Sequence, residues 1–229
     1  MPYFRGKSDS YSRMSVIAKN ILYIHVPKTG GTSIEHYLAE KYETPLNIHA
    51  IFSENREKTH HGISYHHLSY STIIDEWERG STPFSFIDFA NVDIWISVRN
   101  PYTRLFSNLF FLNLMNSQST TKQVFEIIQD QFLPNNHLYD NHVVPQTIFY
   151  IGLEDKENVT ILHQETLNCD IYKMGFTDFD KVLCKTFHIR EYDTFYSRET
   201  IQLINDYYFM DFEFFGYDML DPMDYGNCK

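Results

Sequence analysis

No stretch of this chain stays apolar for the roughly 18 residues a membrane helix needs. Its N-terminus, MPYFRGKSDSYSRMS, has no apolar core of the kind a secretion signal carries. The chain therefore reads as soluble and cytoplasmic, with no membrane anchor. Cysteine is scarce. Cys169, Cys184 and Cys228 form an odd set with no CxxC pair, which points away from a disulfide framework or a zinc knuckle and towards three reduced thiols. Basic residues are outnumbered, with 19 Lys and Arg against 30 Asp and Glu and a net charge of −11. Such a surface repels phosphate backbones, so nucleic acid is not expected as a partner. An anionic ligand needs a local cluster of Lys, Arg and backbone N–H groups. There is no internal repeat and no low-complexity linker.

What is present is apolar and aromatic: 43% hydrophobic residues, with 19 Phe and 17 Tyr among 229. That supports one well-buried domain, here taken as residues 20–220 behind a polar arm at 1–19. ILYIHV (21–26) suits a strand buried on both faces. PKTGG breaks it, and Ile34, Tyr37, Leu38 and Tyr42 then recur at helical spacing. VDIWISV (92–98) is a second buried strand. Asn100 follows as an N-cap and Pro101 as the first helical residue, before the apolar face of Leu105, Phe106, Leu109, Phe110 and Leu112. Further helices are expected in STIIDEWERG up to Gly80, over 120–133, and over 198–217 as one amphipathic helix stopped near Gly216. Residues 135–152 read as irregular and then strand-like, and 158–166 as a strand. Alternating strands and helices imply an α/β fold with a central parallel sheet flanked by helices. Both polar strand exits would meet at the sheet edge where such folds bind ligands.

The first exit is HVPKTGGTS. Gly30 and Gly31 let the backbone wrap an oxyanion, Thr32 and Ser33 add hydroxyls, and Lys28 adds a full charge at a helix N-terminus. The lysine precedes both glycines and the GxxxxGK[ST] spacing is missing, so the magnesium–triphosphate arrangement is not supported. At the second exit, RNPYTRLFS, Arg99 ends the strand. Arg104 and Ser107 share a helix face, and an arginine fork with a hydroxyl suits a terminal phosphate.

PKTGGTS resembles the 5′-phosphosulfate loop of sulfotransferases that use 3′-phosphoadenosine 5′-phosphosulfate (PAPS). Its GG form is similar to the carbohydrate branch, which includes the heparan-sulfate 2-O and 6-O enzymes. VRNPYTRLFSN resembles the 3′-phosphate segment of the same family, and HVVPQTIFY and the C-terminal RETIQLINDYYFMDFEFFGY resemble later segments of it. The resemblance implies a P-loop-like sulfotransferase fold. It assigns Lys28, Thr29, Gly30, Gly31, Thr32 and Ser33 to the 5′-phosphosulfate and Arg99 and Ser107 to the 3′-phosphate. It also implies transfer of a sulfuryl group to an acceptor hydroxyl, on a carbohydrate by the branch, with release of adenosine 3′,5′-bisphosphate.

A hydroxyl acceptor benefits from a general base, and histidine suits that role. YHHLSY (65–70) is similar to the 2-O branch segment that carries the base. His67 takes the position of the base, and His66 stands where the branch has glycine and is the alternative. No cysteine or close carboxylate completes a tetrahedral set at usual spacing around these histidines, so no metal is assigned. The RKGxxGxWK segment of the cytosolic small-molecule enzymes is absent; Lys185, Arg190 and Arg198 are the nearby basic residues that could replace it. Two other readings share these motifs: a nucleotide-dependent kinase on a related scaffold, and a non-catalytic module that keeps the anion cradle.

Overall fold

Three parallel strands, two of them buried and the third partly so, set the frame. In the computed structural model, which describes residues 17–18, 20–43, 63–80, 87–179 and 192–228, β2 (Ile21–Ile24), β3 (Asp93–Val98) and β4 (Val159–His163) lie parallel and side by side. The short β1 (Ile17–Ala18) pairs antiparallel with β2 and gives the order β1-β2-β3-β4. Two residues of the expected polar arm thus belong to the sheet.

Strand side chains alternate between two cores. Leu22, Ile24, Ile94 and Ile96 pair across β2 and β3 and pack with Tyr70 and Ile73 of α2 (Tyr70–Glu78). Ile21, Tyr23 and Trp95 face the other way, against Ile34, Tyr37 and Leu38 of α1 (Gly31–Lys41) and Ile171 of α6 (Leu167–Lys173). Leu22, Ile24, Ile94 and Ile96 are fully buried, and each such side chain contributes about 1.5–3 kcal/mol relative to exposure. Helices on both faces of a parallel sheet make this a single α/β domain.

A third core forms around α3 (Pro101–Phe111). Tyr102, Leu105, Phe106 and Leu109 meet Val124 of α4 (Thr121–Glu126) and residues of α7 (Arg198–Tyr207) and α8 (Phe209–Phe215). The start of α3 follows its local pattern. The Asn100 side chain accepts from the Tyr102 N–H at 3.0 Å, and Pro101 is the first helical residue.

Three expectations are corrected. The helix expected over 120–133 keeps α geometry only to Glu126, then widens into a π turn over Ile127–Phe132. The strand-like stretch before Gly152 is instead turns and the short helix α5 (Thr147–Tyr150). Its entry is fixed by the Asp211 carboxylate, which accepts the N–H groups of Gln146 and Thr147 at 2.8 and 2.9 Å, so they cannot join a ladder. The single C-terminal helix breaks at Tyr208, whose φ/ψ is −104/19. There the buried phenol donates to the Val143 carbonyl at 2.8 Å, and α8 then delivers Asp211 to α5. Gly216, with φ 70, closes α8 as expected.

Cys169 and Cys228 are free thiols, and no helix among the described residues is long and apolar enough to cross a membrane. Cys184, Lys185, Arg190, His60 and His61 lie outside the described residues.

Candidate active site

β2 feeds directly into the loop. Lys28 adopts a left-handed backbone, φ 67, and Gly30 does so at φ 90. For a lysine this conformation costs about 1–2 kcal/mol, so the loop holds its shape against a local preference. Gly30 is the N-cap of α1 and offers no side chain, and the first turn contains no acidic residue. The positive end of an 11-residue helix therefore has no capping side chain at its N-cap and lies beside a lysine, with Thr32 and Ser33 partly exposed. Thr29 is different. It is fully buried; its hydroxyl donates to Val26 O at 2.8 Å and lies 2.6 Å from Ser97 Oγ, which also bonds the Tyr23 hydroxyl. That hydroxyl anchors the loop to β3 and is spent there.

The two polar exits are joined. Arg99 Nη1 donates to the Lys28 carbonyl at 3.3 Å and Nε to Thr103 Oγ1 at 2.9 Å. Gln146 fixes the Arg99 backbone from both sides: its Oε1 accepts the Arg99 N–H and its Nε2 donates to the Arg99 carbonyl, each at 2.8 Å. Thr103, Ser107 and Phe111 are four residues apart and share one face of α3. Arg99 reaches Thr103, and Lys28 Nζ sits 4.0 Å from the Phe111 ring centroid. Ser107 is thus bracketed by the two cations.

The fork of Arg104 does not face this side. It is buried and donates to the carbonyls of Pro27, Val144 and His142 at 3.1, 3.0 and 3.4 Å. It clamps the loop to the 142–144 segment, so the Arg104–Ser107 fork expected for a phosphate is not formed. Arg198 begins α7, where its N–H bonds the Gly226 carbonyl.

Histidines converge beside the loop. His25 leaves β2, His66 and His67 occupy a one-turn 3-10 helix (Tyr65–His67), and His142 follows the left-handed pair Asp140 (φ 50) and Asn141 (φ 63). Ring centroids are 4.0 Å apart for His25–His66, 4.7 Å for His66–His67, 5.3 Å for His25–His67 and 5.0 Å for His67–His142. His142 stacks on Phe111 at 5.5 Å, which closes the path back to Lys28.

Each ring has a carboxylate or amide behind it. His67 Nδ1 is 3.0 Å from Asp140 Oδ2, and Asp140 also accepts the Ser64 N–H at 2.6 Å and hydroxyl at 2.8 Å. Burial works to raise the Asp140 carboxyl, but the His67 hydrogen bond and charge and the two Ser64 bonds outweigh it and hold it well below the usual carboxylate range. An ionised carboxylate only accepts, so Nδ1 of His67 donates, and in the neutral ring Nε2 carries the lone pair. The Asn141 amide donates to the His67 carbonyl at 2.9 Å and fixes the backbone. His142 Nδ1 is likewise held, 2.7 Å from Asn108 Oδ1. His25 Nδ1 is 2.8 Å, and His66 Nδ1 3.3 Å, from Glu35 Oε1. Burial, followed by the neighbouring charges, holds His25 and His66 well below the ordinary histidine value. Burial also raises Glu35 to about 6, against the pull of His66, His67 and His36.

The structure therefore brings Lys28, Gly30, Gly31, Thr32, Ser33, Arg99, Ser107, His66 and His67 to one end of the parallel strands, and turns the Thr29 hydroxyl inward. Sequence reasoning missed His25, Glu35, Asp140, His142 and Phe111. His25 stands in the quoted HVPKTGGTS, immediately before the loop, and Asp140–Asn141 is a pair suited to left-handed turns; those were the available signals.

An α/β domain with a glycine-bearing loop, the cations Lys28 and Arg99, and imidazoles at the strand ends is thereby defined. The model of the Sulfotransferase family matches residues 18–197. The chain belongs to that family, and so to the transferases that move sulfuryl groups. No curated protein and no solved structure matches the chain.

Proposed function

We propose that this sulfotransferase moves the sulfuryl group of PAPS to a carbohydrate hydroxyl, on a P-loop-like scaffold. Lys28, the N-terminus of α1 and the hydroxyls of Thr32 and Ser33 hold the 5′-phosphosulfate; Arg99 and Ser107 hold the 3′-phosphate. His67 Nε2 takes the proton of the acceptor hydroxyl. The acceptor oxygen bonds sulfur as the bond from sulfur to the 5′-phosphate oxygen breaks. The electron pair stays on that oxygen, and adenosine 3′,5′-bisphosphate leaves with its charge met by Lys28. The transfer itself uses no metal.

One observation carries this reading. The rings of His67, His142 and Phe111 form a continuous path from the imidazole backed by Asp140 to the ammonium of Lys28. A base and a leaving-group cation in one continuous cluster suit transfer that needs both at once. The carbohydrate acceptor rests on the resemblance of PKTGGTS and YHHLSY to that branch. The net charge of −11 favours a neutral sugar over a polyanionic glycan.

Incubation with PAPS and a panel of neutral and acidic sugars, read by mass, tests the proposal. A neutral sugar should gain one sulfuryl group as an equal amount of adenosine 3′,5′-bisphosphate appears. His67→Ala should lower kcat by about 10²–10⁴-fold, the usual worth of a general base, and leave affinity for the bisphosphate unchanged. Phosphorylation from ATP with no response to PAPS overturns it.

A further inference from the structure

Of the four imidazoles gathered beside the loop, only His67 has a part in the transfer. His25, His66 and His67 each offer a ring nitrogen, and these atoms all lie within 4.8 Å of one another. We propose that the three histidines form a binding site for a borderline divalent cation of the Zn²⁺ type, and that occupancy of this site excludes sulfuryl transfer.

Geometry supports the site first. Zinc binds imidazole nitrogen at about 2.0–2.1 Å, so three imidazoles on one tetrahedral ion place their ring centroids about 5 Å apart. The separations here are 4.0, 4.7 and 5.3 Å. The His25–His66 pair, at 4.0 Å, is the one that must open to receive the ion, and since Glu35 and Gly31 hold His25 in place, it is His66 that moves.

The surroundings agree. Nδ1 of all three rings faces a carboxylate: Glu35 for His25 and His66, Asp140 for His67. That leaves Nε2 of each ring for an ion. An imidazole whose other nitrogen is held by a carboxylate is the usual outer arrangement of a metal-bound histidine, and it fixes both tautomer and ring orientation. Glu35 is itself 1% exposed, and its hydrogen-bond and ion-pair partners among the described residues are imidazoles. Burying a carboxylate without a compensating charge is costly, and a divalent ion one imidazole away supplies that charge.

The donor set selects the ion. Three nitrogens with no thiolate, and a fourth position left open, suit zinc and its neighbours. Magnesium and calcium require oxygen ligands and are not expected to bind. His67 is the partly exposed member of the set and His25 and His66 are buried, so an ion enters past His67.

The consequence rests on the function proposed above. The lone pair of His67 Nε2 that would accept the acceptor proton is the one that would hold the ion, so the two uses exclude each other. Zinc is then an inhibitor competing with the free base, released by a chelator.

Chelator-stripped protein titrated with Zn²⁺ by calorimetry should bind one ion per chain, and Mg²⁺ should not compete. Co²⁺ in the unaltered protein should give the intense visible bands of a tetrahedral site, a readout that needs no variant to fold. His25→Ala should weaken Zn²⁺ by more than 100-fold, and Glu35→Gln by about 10–100-fold, as outer-shell losses do. Transfer from PAPS should fall as Zn²⁺ saturates the site and return with chelator. No saturable binding of one ion per chain, octahedral-type Co²⁺ bands, or Zn²⁺ affinity unchanged in a His25→Ala, His66→Ala double variant overturns the site. Zn²⁺ bound at one per chain with transfer unaffected overturns the exclusion. Binding of adenosine 3′,5′-bisphosphate, measured on the same metal-free sample, separates failure of the site from failure of the function. The bisphosphate can bind where Zn²⁺ does not, and Zn²⁺ can bind where the bisphosphate does not.

Discussion

Asp140 controls the chemical state of the proposed base. Its backbone and that of Asn141 are left-handed, φ 50 and 63, as is that of Lys28 at φ 67. Backbone of this kind persists only where the surroundings over-determine it, and it gathers at functional sites. Here it aims one carboxylate at His67 and Ser64, one amide at the His67 carbonyl and one ammonium at Phe111. Asp140→Asn preserves the size but presents an amide that can donate to Nδ1, which moves the lone pair away from Nε2. The variant should lose about 10²–10⁴-fold in kcat, as for loss of the base itself, with unchanged affinity for adenosine 3′,5′-bisphosphate. Steady-state kinetics and calorimetry on the same sample check this. An equal loss in both would mark Asp140 as merely structural.

At the scale of elements, the site depends on how closely α1 approaches the end of β2. A Cβ on Gly31 would lie 2.6 Å from Nε2 of His25, whose ring is held by Glu35. Gly31→Ala therefore forces ring and helix apart. It should destabilise the fold by about 1–3 kcal/mol, the usual cost of overpacking, as measured by urea unfolding; a change within error would contradict the close approach. The other dependence is on α8. Asp211 accepts the N–H groups of Gln146 and Thr147 and the Thr147 hydroxyl, and Gln146 in turn fixes Arg99. Asp211→Ala leaves buried donors without a partner, at about 1–3 kcal/mol each, and loosens Arg99. Unfolding should show the loss of stability, and calorimetry should show weaker bisphosphate binding with little change in the preference for His67 as base.

Across the whole molecule, the strands and helices that carry the cradle were legible because their signals are local. Strands buried on both faces read as apolar runs, Asn100–Pro101 announces its helix, and PKTGGTS and RNPYTRLFS are contiguous. The α5 turn was not legible because its cap, Asp211, lies 65 residues beyond Gln146. The break at Tyr208 follows from a hydrogen bond to Val143, again 65 residues away. The imidazole cluster was half legible: the His66–His67 pair stands out, but His25 and Glu35 join it from the strand–helix unit of the loop, and Asp140 and His142 from a turn that begins 73 residues beyond His67. Arg104 shows the opposite error. Its spacing from Ser107 suits a phosphate fork, and the fold spends it on three carbonyls.

The central claim is that two motifs on an acidic chain hold the two ends of one sulfuryl donor. Thermal or denaturant unfolding with adenosine 3′,5′-bisphosphate and with ATP tests it most directly. At about 100 times its dissociation constant the bisphosphate should add about 2.7 kcal/mol to the unfolding free energy, and ATP at the same concentration should add far less. Stabilisation by ATP with none from the bisphosphate would contradict the account.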